Sequence, residues 1–300
     1  MRLATLILLA ALVAGTKTEE PKEAGTFFDD FSYSGTTDLS ERGWIVRSAV
    51  GLPGIKGAHW GEGSVQIVGD PYQPGNKFVR LVASSDGTPE GTQQAQLCHE
   101  RKYFEGTYAA RVRFSDAPFS GPDVDQMVMS FYTVSGYVKD MDPQYSELDF
   151  EYLPNGGWHQ KGPTLFNTSW ETFQMEPWLA INKQDRRRSQ PGWHTLVTQV
   201  SAGKVRYFLD GEKIAEHGGK SYPRLPMSIN FNLWFIAAGW SQDKAPRVWQ
   251  EDIDWVFHAR NRTLTPEKVE DEVAAQRRSG ISRVDTVPAA DPPLPCLCNL

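Results

Sequence analysis

Cysteine is scarce in this chain, at three of 300 residues. That excludes a Cys-dense disulfide scaffold and any four-thiolate zinc site. The six histidines show neither His-x-x-x-His spacing nor a nearby Cys/Asp cluster, so no metal-ligand motif is present. Basic charge is also short: 31 Lys and Arg stand against 37 Asp and Glu, a net charge of −6. A nucleic-acid protein needs the opposite balance to neutralise phosphates. No apolar run is long enough to span a bilayer, and no long helical period occurs before residue 264. What is plentiful is Trp (10), Gly (26) and Pro (20). Many aromatics with many turn formers suggest short strands joined by turns. A chain of this length can bury a sufficient core without staples.

The two ends differ from the body. Residues 1–15, MRLATLILLAALVAG, combine a basic start, an apolar stretch and small residues at Val13-Ala14-Gly15. That pattern predicts a secretory signal peptide and an extracellular protein. The segment 263–300 is expected to hold a short helix over Pro266–Arg278, capped by Thr265, and then a Pro-rich tail from Val287. Cys296 and Cys298 are one residue apart, which strains a mutual bond. Cys98 can pair with either, leaving one free thiol.

Between residues 26 and 262 the dominant period is two. Phe104–Phe114, Val124–Val134, Trp193–Val200, Lys204–Leu209, Met227–Phe235 and Ile253–His258 all favour strands. Asp210-Gly211 is the signal for a tight hairpin. The fold class is therefore all-β: a two-sheet β-sandwich of jelly-roll type, with a wet concave face on one sheet.

The segment that carries chemistry is Ser146–Leu153, SELDFEYL. In a strand, Glu147, Asp149 and Glu151 share one face, while Leu148, Phe150 and Tyr152 share the other. Three neighbouring carboxylates repel one another, which sheets normally avoid. Retaining glycoside hydrolysis needs such a set, one carboxylate as nucleophile and another kept protonated as acid. Cα atoms four residues apart on a strand are about 13 Å apart, so the two Glu side chains must lean together over the shorter Asp. The three groups then titrate as a coupled set.

At this motif the chain resembles glycoside hydrolase family 16, the lichenase, laminarinase and xyloglucan-transglycosylase group. The likeness extends to FEGTYAARVRF (104–114), GWHTLVTQVSAGKVRYFLDG (192–211), PMSINFNLW (226–234) and EDIDWV (251–256), in the family's order. The resemblance implies a curved, concanavalin-like jelly roll with a polysaccharide, a β-glucan, in its cleft. It assigns Glu147 as nucleophile, Asp149 as helper and Glu151 as general acid/base. It also implies substrate contacts at Tyr132, Tyr145, Asn232, Trp234 and Trp240. Trp170, in loop-like sequence beyond the motif, is a candidate stacking platform, as are Trp158 and Trp178. No cofactor is required for the chemistry. A structural calcium on the convex side would use Asp254. The implied protein is a monomer without nucleic-acid or membrane partners. A transglycosylase and a non-catalytic carbohydrate-binding module are the alternatives. Two stretches depart from the family pattern: Pro154-Asn155-Gly156-Gly157 and Trp170–Arg188. Arg186-Arg187-Arg188 reads as a solvated loop. Asn167-Thr168-Ser169 and Asn261-Arg262-Thr263 fit the glycosylation pattern.

Overall fold

A computed structural model describes residues 23–188, 191–296 and 298. The signal-peptide segment lies outside the described residues. The body is a strongly curved, nearly closed antiparallel β structure of two facing layers, the jelly-roll sandwich expected from the period-two pattern.

The cleft layer runs, in spatial order, Trp44–Val46, Gln93–His99, Ser228–Phe235, Met127–Val134, Glu147–Leu153, Thr164–Gln174 and Leu179–Arg188. The outer layer runs Lys77–Ser85, Arg247–Arg260, Gly106–Phe114, Gly192–Ser201, Lys204–Leu209 and Glu212–Gly218. Gly25–Asp29 pairs with the far half of Arg247–Arg260. The hairpin at Asp210-Gly211 is present, with φ of 49° and 86° at the two turn residues, as a two-residue I′ turn requires.

The core lies between the layers and sets the polarity of the carboxylate strand. Phe131 stacks on Phe231 with centroids 5.3 Å apart and on Phe150 at 6.2 Å, and Tyr207 meets Phe150 edge-on. Each such buried side chain contributes about 1.5–3 kcal/mol. Because Leu148, Phe150 and Tyr152 are drawn inward, Glu147, Asp149 and Glu151 are forced onto the cleft face. A one-residue slip would exchange the two sets. Asn167 faces inward too and is buried, so its glycosylation pattern is inaccessible in the folded chain.

The stretch Trp170–Arg188, set apart in the sequence reading, lies in a hairpin of the cleft layer. Thr164–Gln174 turns through Met175–Trp178 into Leu179–Arg188, which forms the layer's edge. Arg186, Arg187 and Arg188 are thus on a strand, not in a loop. The pattern that hid it is its exposure: most of the ten residues face solvent, and charged side chains blunt an open edge. Its tie to the outer layer is polar. Lys183 Nζ donates to the Gly218 carbonyl at 2.7 Å, and Asp185 meets His217 Nε2 at 2.9 Å.

The helix Pro266–Arg278 is capped by Thr265 as its sequence indicates and buries Val269 and Val273 on the outer layer, against Phe28, Trp255 and Phe257. The tail then returns to the cleft layer, where Cys298 bonds to Cys98 across 200 residues and leaves Cys296 free. A crosslink closing so long a loop restricts the unfolded chain strongly. Replacing Cys98 and Cys298 together by Ser is expected to destabilise the protein by about 3 kcal/mol in denaturant titration. Cys296→Ser is expected to change stability by less than about 0.5 kcal/mol.

Candidate active site

A cleft of about 540 Å³ crosses the strands of the cleft layer. Its lining runs from Pro53 and Trp234 over the carboxylate strand to Ala180, Asn182 and Gln184 on the edge strand. The register fixes what faces what. Glu147 lies between Val134 and Trp170, Asp149 between Tyr132 and Thr168, and Glu151 between Ser130 and Phe166. The strand carries no bulge, so all three carboxylates point the same way.

Their hydrogen bonds are unequal. The Tyr145 hydroxyl donates to Glu147 Oε2. Trp170 Nε1 donates to Asp149 Oδ2 at 2.7 Å. Among the described residues, none donates to Glu151. Burial raises all three groups. Glu147 is pushed up to about 7 by burial, opposed by hydrogen bonds from Tyr145 and Asp149. Glu151 is pushed up to about 8 by burial and by the charge of Glu147. Asp149 lies well above the usual carboxylate range, through burial and the charges of both glutamates. The hydrogen bond from Tyr145 favours the charged form of Glu147, and the charge of Glu147 favours the protonated forms of Asp149 and Glu151.

The expected contact residues are partly assembled here. Tyr132, Asn232, Trp234 and Trp170 line the cleft. Tyr132 is pinned by Gln96 Nε2 at 2.7 Å, and Gln96 in turn accepts from Arg47 Nη1 at 2.8 Å. Asn232 Oδ1 accepts from Ser130 Oγ at 2.6 Å. Tyr145 also reaches the cleft, but it is buried with its ring edge-on to Phe173, and its hydroxyl is on Glu147. It positions the nucleophile candidate and is no stacking platform. Trp158 and Trp178 both line the cleft beside Trp170.

Two expectations are corrected. Trp240 lies outside the cleft: its Nε1 donates to Ser85 Oγ at 3.0 Å and its ring packs on the core. Asp254 does not fit a calcium ligand. Arg277 Nη2 donates to its Oδ1 at 2.9 Å, Asn76 Nδ2 to the same oxygen at 3.0 Å, and Arg277 Nη1 to its Oδ2 at 3.2 Å. The C-terminal helix brings a guanidinium to the carboxylate, and both oxygens face donors rather than a cation's place.

Two features escaped the sequence. Arg47 is 1% exposed and has three neutral oxygen partners: the Ala49 and Leu52 carbonyls and the Gln96 amide. It fixes the Pro53 rim of the cleft. Ser169, His217 and Asp185 also form a relay, with Ser169 Oγ 2.8 Å from His217 Nδ1. Ser169 is 0% exposed and faces the core, so this is a tie between layers and not a nucleophile.

The raised carboxyls bear on stability. A carboxyl whose folded pKa lies above its unfolded value binds more protons in the native state, so stability falls as pH rises between the two values. For Glu151 that window runs from about 4.5 to about 8. Glu151→Gln is therefore expected to stabilise the protein at pH 8 by about 1–3 kcal/mol after solvent screening. The gain should vanish near pH 4.5 in melts across that range.

No family model and no curated protein matches the sequence. Many solved structures share the fold. The chain aligns with a Bacillus licheniformis beta-glucanase at 16% identity and TM-score 0.55, covering 78% of this chain and 97% of that one. A Bacteroides ovatus mixed-linkage-glucan GH16 protein, in complex with its product, aligns at 14% identity and TM-score 0.56, over 77% and 98%. A kappa-carrageenase from Zobellia galactanivorans aligns at 17% and 0.54, over 81% and 98%. The chain has the fold of the family 16 glycoside hydrolases.

Proposed function

We propose that this chain is a secreted, endo-acting, retaining glycoside hydrolase that cleaves internal β-glycosidic bonds of a β-glucan. The observation that carries the reading is the unequal set of three carboxyls on one strand face inside a cleft. Glu147 accepts from Tyr145, which favours its charged form; among the described residues none donates to Glu151, and burial with the charge of Glu147 favours its proton. That is the division of labour that double displacement needs.

Glu147 attacks the anomeric carbon while Glu151 gives its proton to the departing glycosidic oxygen. The sugar is left as an ester on Glu147. Glu151, now a carboxylate, takes a proton from water, and that water attacks the same carbon and frees Glu147. Asp149, whose proton is favoured by burial and by the charges of the glutamates and whose Oδ2 accepts from Trp170, adds no second negative charge to the site. The open crossing of the sheet supports internal cleavage. From Ser228–Phe235 to Leu179–Arg188 there are four strand spacings, about 19 Å. The likeness to glucan-active enzymes supports a β-glucan substrate. The apolar start of the chain and the Cys98–Cys298 bond support export to an oxidising compartment.

Glu147→Gln and Glu151→Gln are each expected to lower kcat on a cleaved β-glucan by about 10²–10⁴-fold. Near-full activity in either variant, assayed by reducing ends over a glucan panel, would refute the assignment. The rate requires Glu147 ionised and Glu151 protonated. Its pH profile should rise near 7 and fall near 8. Tyr145→Phe removes a bond that holds Glu147 down, so the acid limb of the profile should move to higher pH.

A further inference from the structure

The stretch after the carboxylate strand is a hairpin with an unusual turn. Gly156 pairs with Lys161 and Gly157 with Gln160, leaving Trp158 and His159 as a two-residue loop. Both carry positive φ, 47° and 68°. Such turns are normally filled by Asn-Gly, because a side chain in this region clashes with its own backbone, at about 1–2 kcal/mol per residue. Nothing in the formation of a hairpin calls for Trp-His there. Strain of this kind persists where the surroundings impose it, and it concentrates at ligand clamps.

The surroundings do impose it. A Cβ on Gly157 would lie 2.7 Å from Ile236 Cδ1 and 3.0 Å from Leu153 Cδ2, so glycine seats the hairpin flush on those side chains. Leu153 stands two residues beyond Glu151 on the same strand face. Trp158 thus meets Phe166, the register partner of Glu151, its ring 5.4 Å from Phe166 and 6.3 Å from Trp234. It covers that small cluster, yet 37% of it remains exposed and both it and His159 line the cleft.

We propose that the Gly156–Lys161 hairpin is a strained clamp that presents Trp158, paired with Trp234, as the stacking platform for a sugar ring next to Glu151. This rests on the hydrolase reading above and deepens it. A pyranose ring suits the platform, because its ring C–H groups present an apolar face to an aromatic surface. On the opposite side of the carboxylates, Trp170 and Trp178, with rings 6.2 Å apart, form a second aromatic wall. The bound chain crosses the strands between the two walls.

The test is to install the pair the turn prefers, Trp158→Asn with His159→Gly, in the otherwise intact chain. Relief of backbone strain offsets the packing lost with the indole, so Tm should stay within about 5 °C of wild type. KM on the cleaved β-glucan should rise about tenfold or more, with kcat changed less than about threefold. Trp158→Phe should return KM to within about threefold of wild type. An unchanged KM overturns the proposal. So does a larger fall in Tm, which would mean that the aromatic pair serves the fold. If the wild type cleaves no glycan, the hydrolase reading fails separately. The clamp is then read by retardation in native gels containing lichenan or laminarin, where the double variant should run freely. Equal mobility of wild type and variant would overturn it.

Discussion

Everything at the site depends on the inward pull of Leu148, Phe150 and Tyr152. These side chains are buried against Phe131, Phe231, Phe114 and Tyr207, and they fix the strand's register. With period two, the same packing compels Glu147, Asp149 and Glu151 onto one face of one strand. The core thus holds three carboxyls together on one face. Burial raises the proton affinity of all three, and the charges of neighbouring carboxyls add to it at Asp149 and Glu151. On the proposed reading this supplies the acid, since a carboxyl that keeps its proton near neutral pH can donate it.

Around that strand, neighbours break the symmetry among like groups. Tyr145 favours the charged form of Glu147, Trp170 engages Asp149, and Glu151 has no donor among the described residues. Tyr145 belongs to the loop that enters the strand, and Trp170 to the strand beside it. A simple acidic stripe would lack these unequal partners. The stability linkage and the proposed division of labour both follow from one arrangement.

Much of this was legible in the sequence, for identifiable reasons. The alternation in SELDFEYL is local, and it gave the face of each carboxylate. Asp210-Gly211 and Thr265 are local turn and cap chemistry, and both are realised. What was not legible depends on residues far apart in the chain. Asp254 looks like a free carboxylate until the helix folds back and delivers Arg277. Cys98 had two equivalent partners until the tail's path chose Cys298. Trp240 sits in a segment that suggests the cleft, yet Ser85 draws its indole away. The edge strand Leu179–Arg188 carries no buried stripe, so its period was invisible. Trp158-His159 defeats turn recognition because the favoured residues are absent from the turn.

The central claim is that Glu147 is the nucleophile and that a covalent glycosyl-enzyme forms on it. The most direct measurement uses a 2-fluoro-substituted activated β-glucoside or gluco-oligosaccharide, which slows release of the ester. Peptide mass spectrometry of the inactivated protein should place one sugar on the peptide containing Glu147, with its carboxyl as the attachment atom. A sugar attached to Glu151 or elsewhere would contradict the account, as would substrate turnover that leaves the protein unlabelled and gives an inverted product.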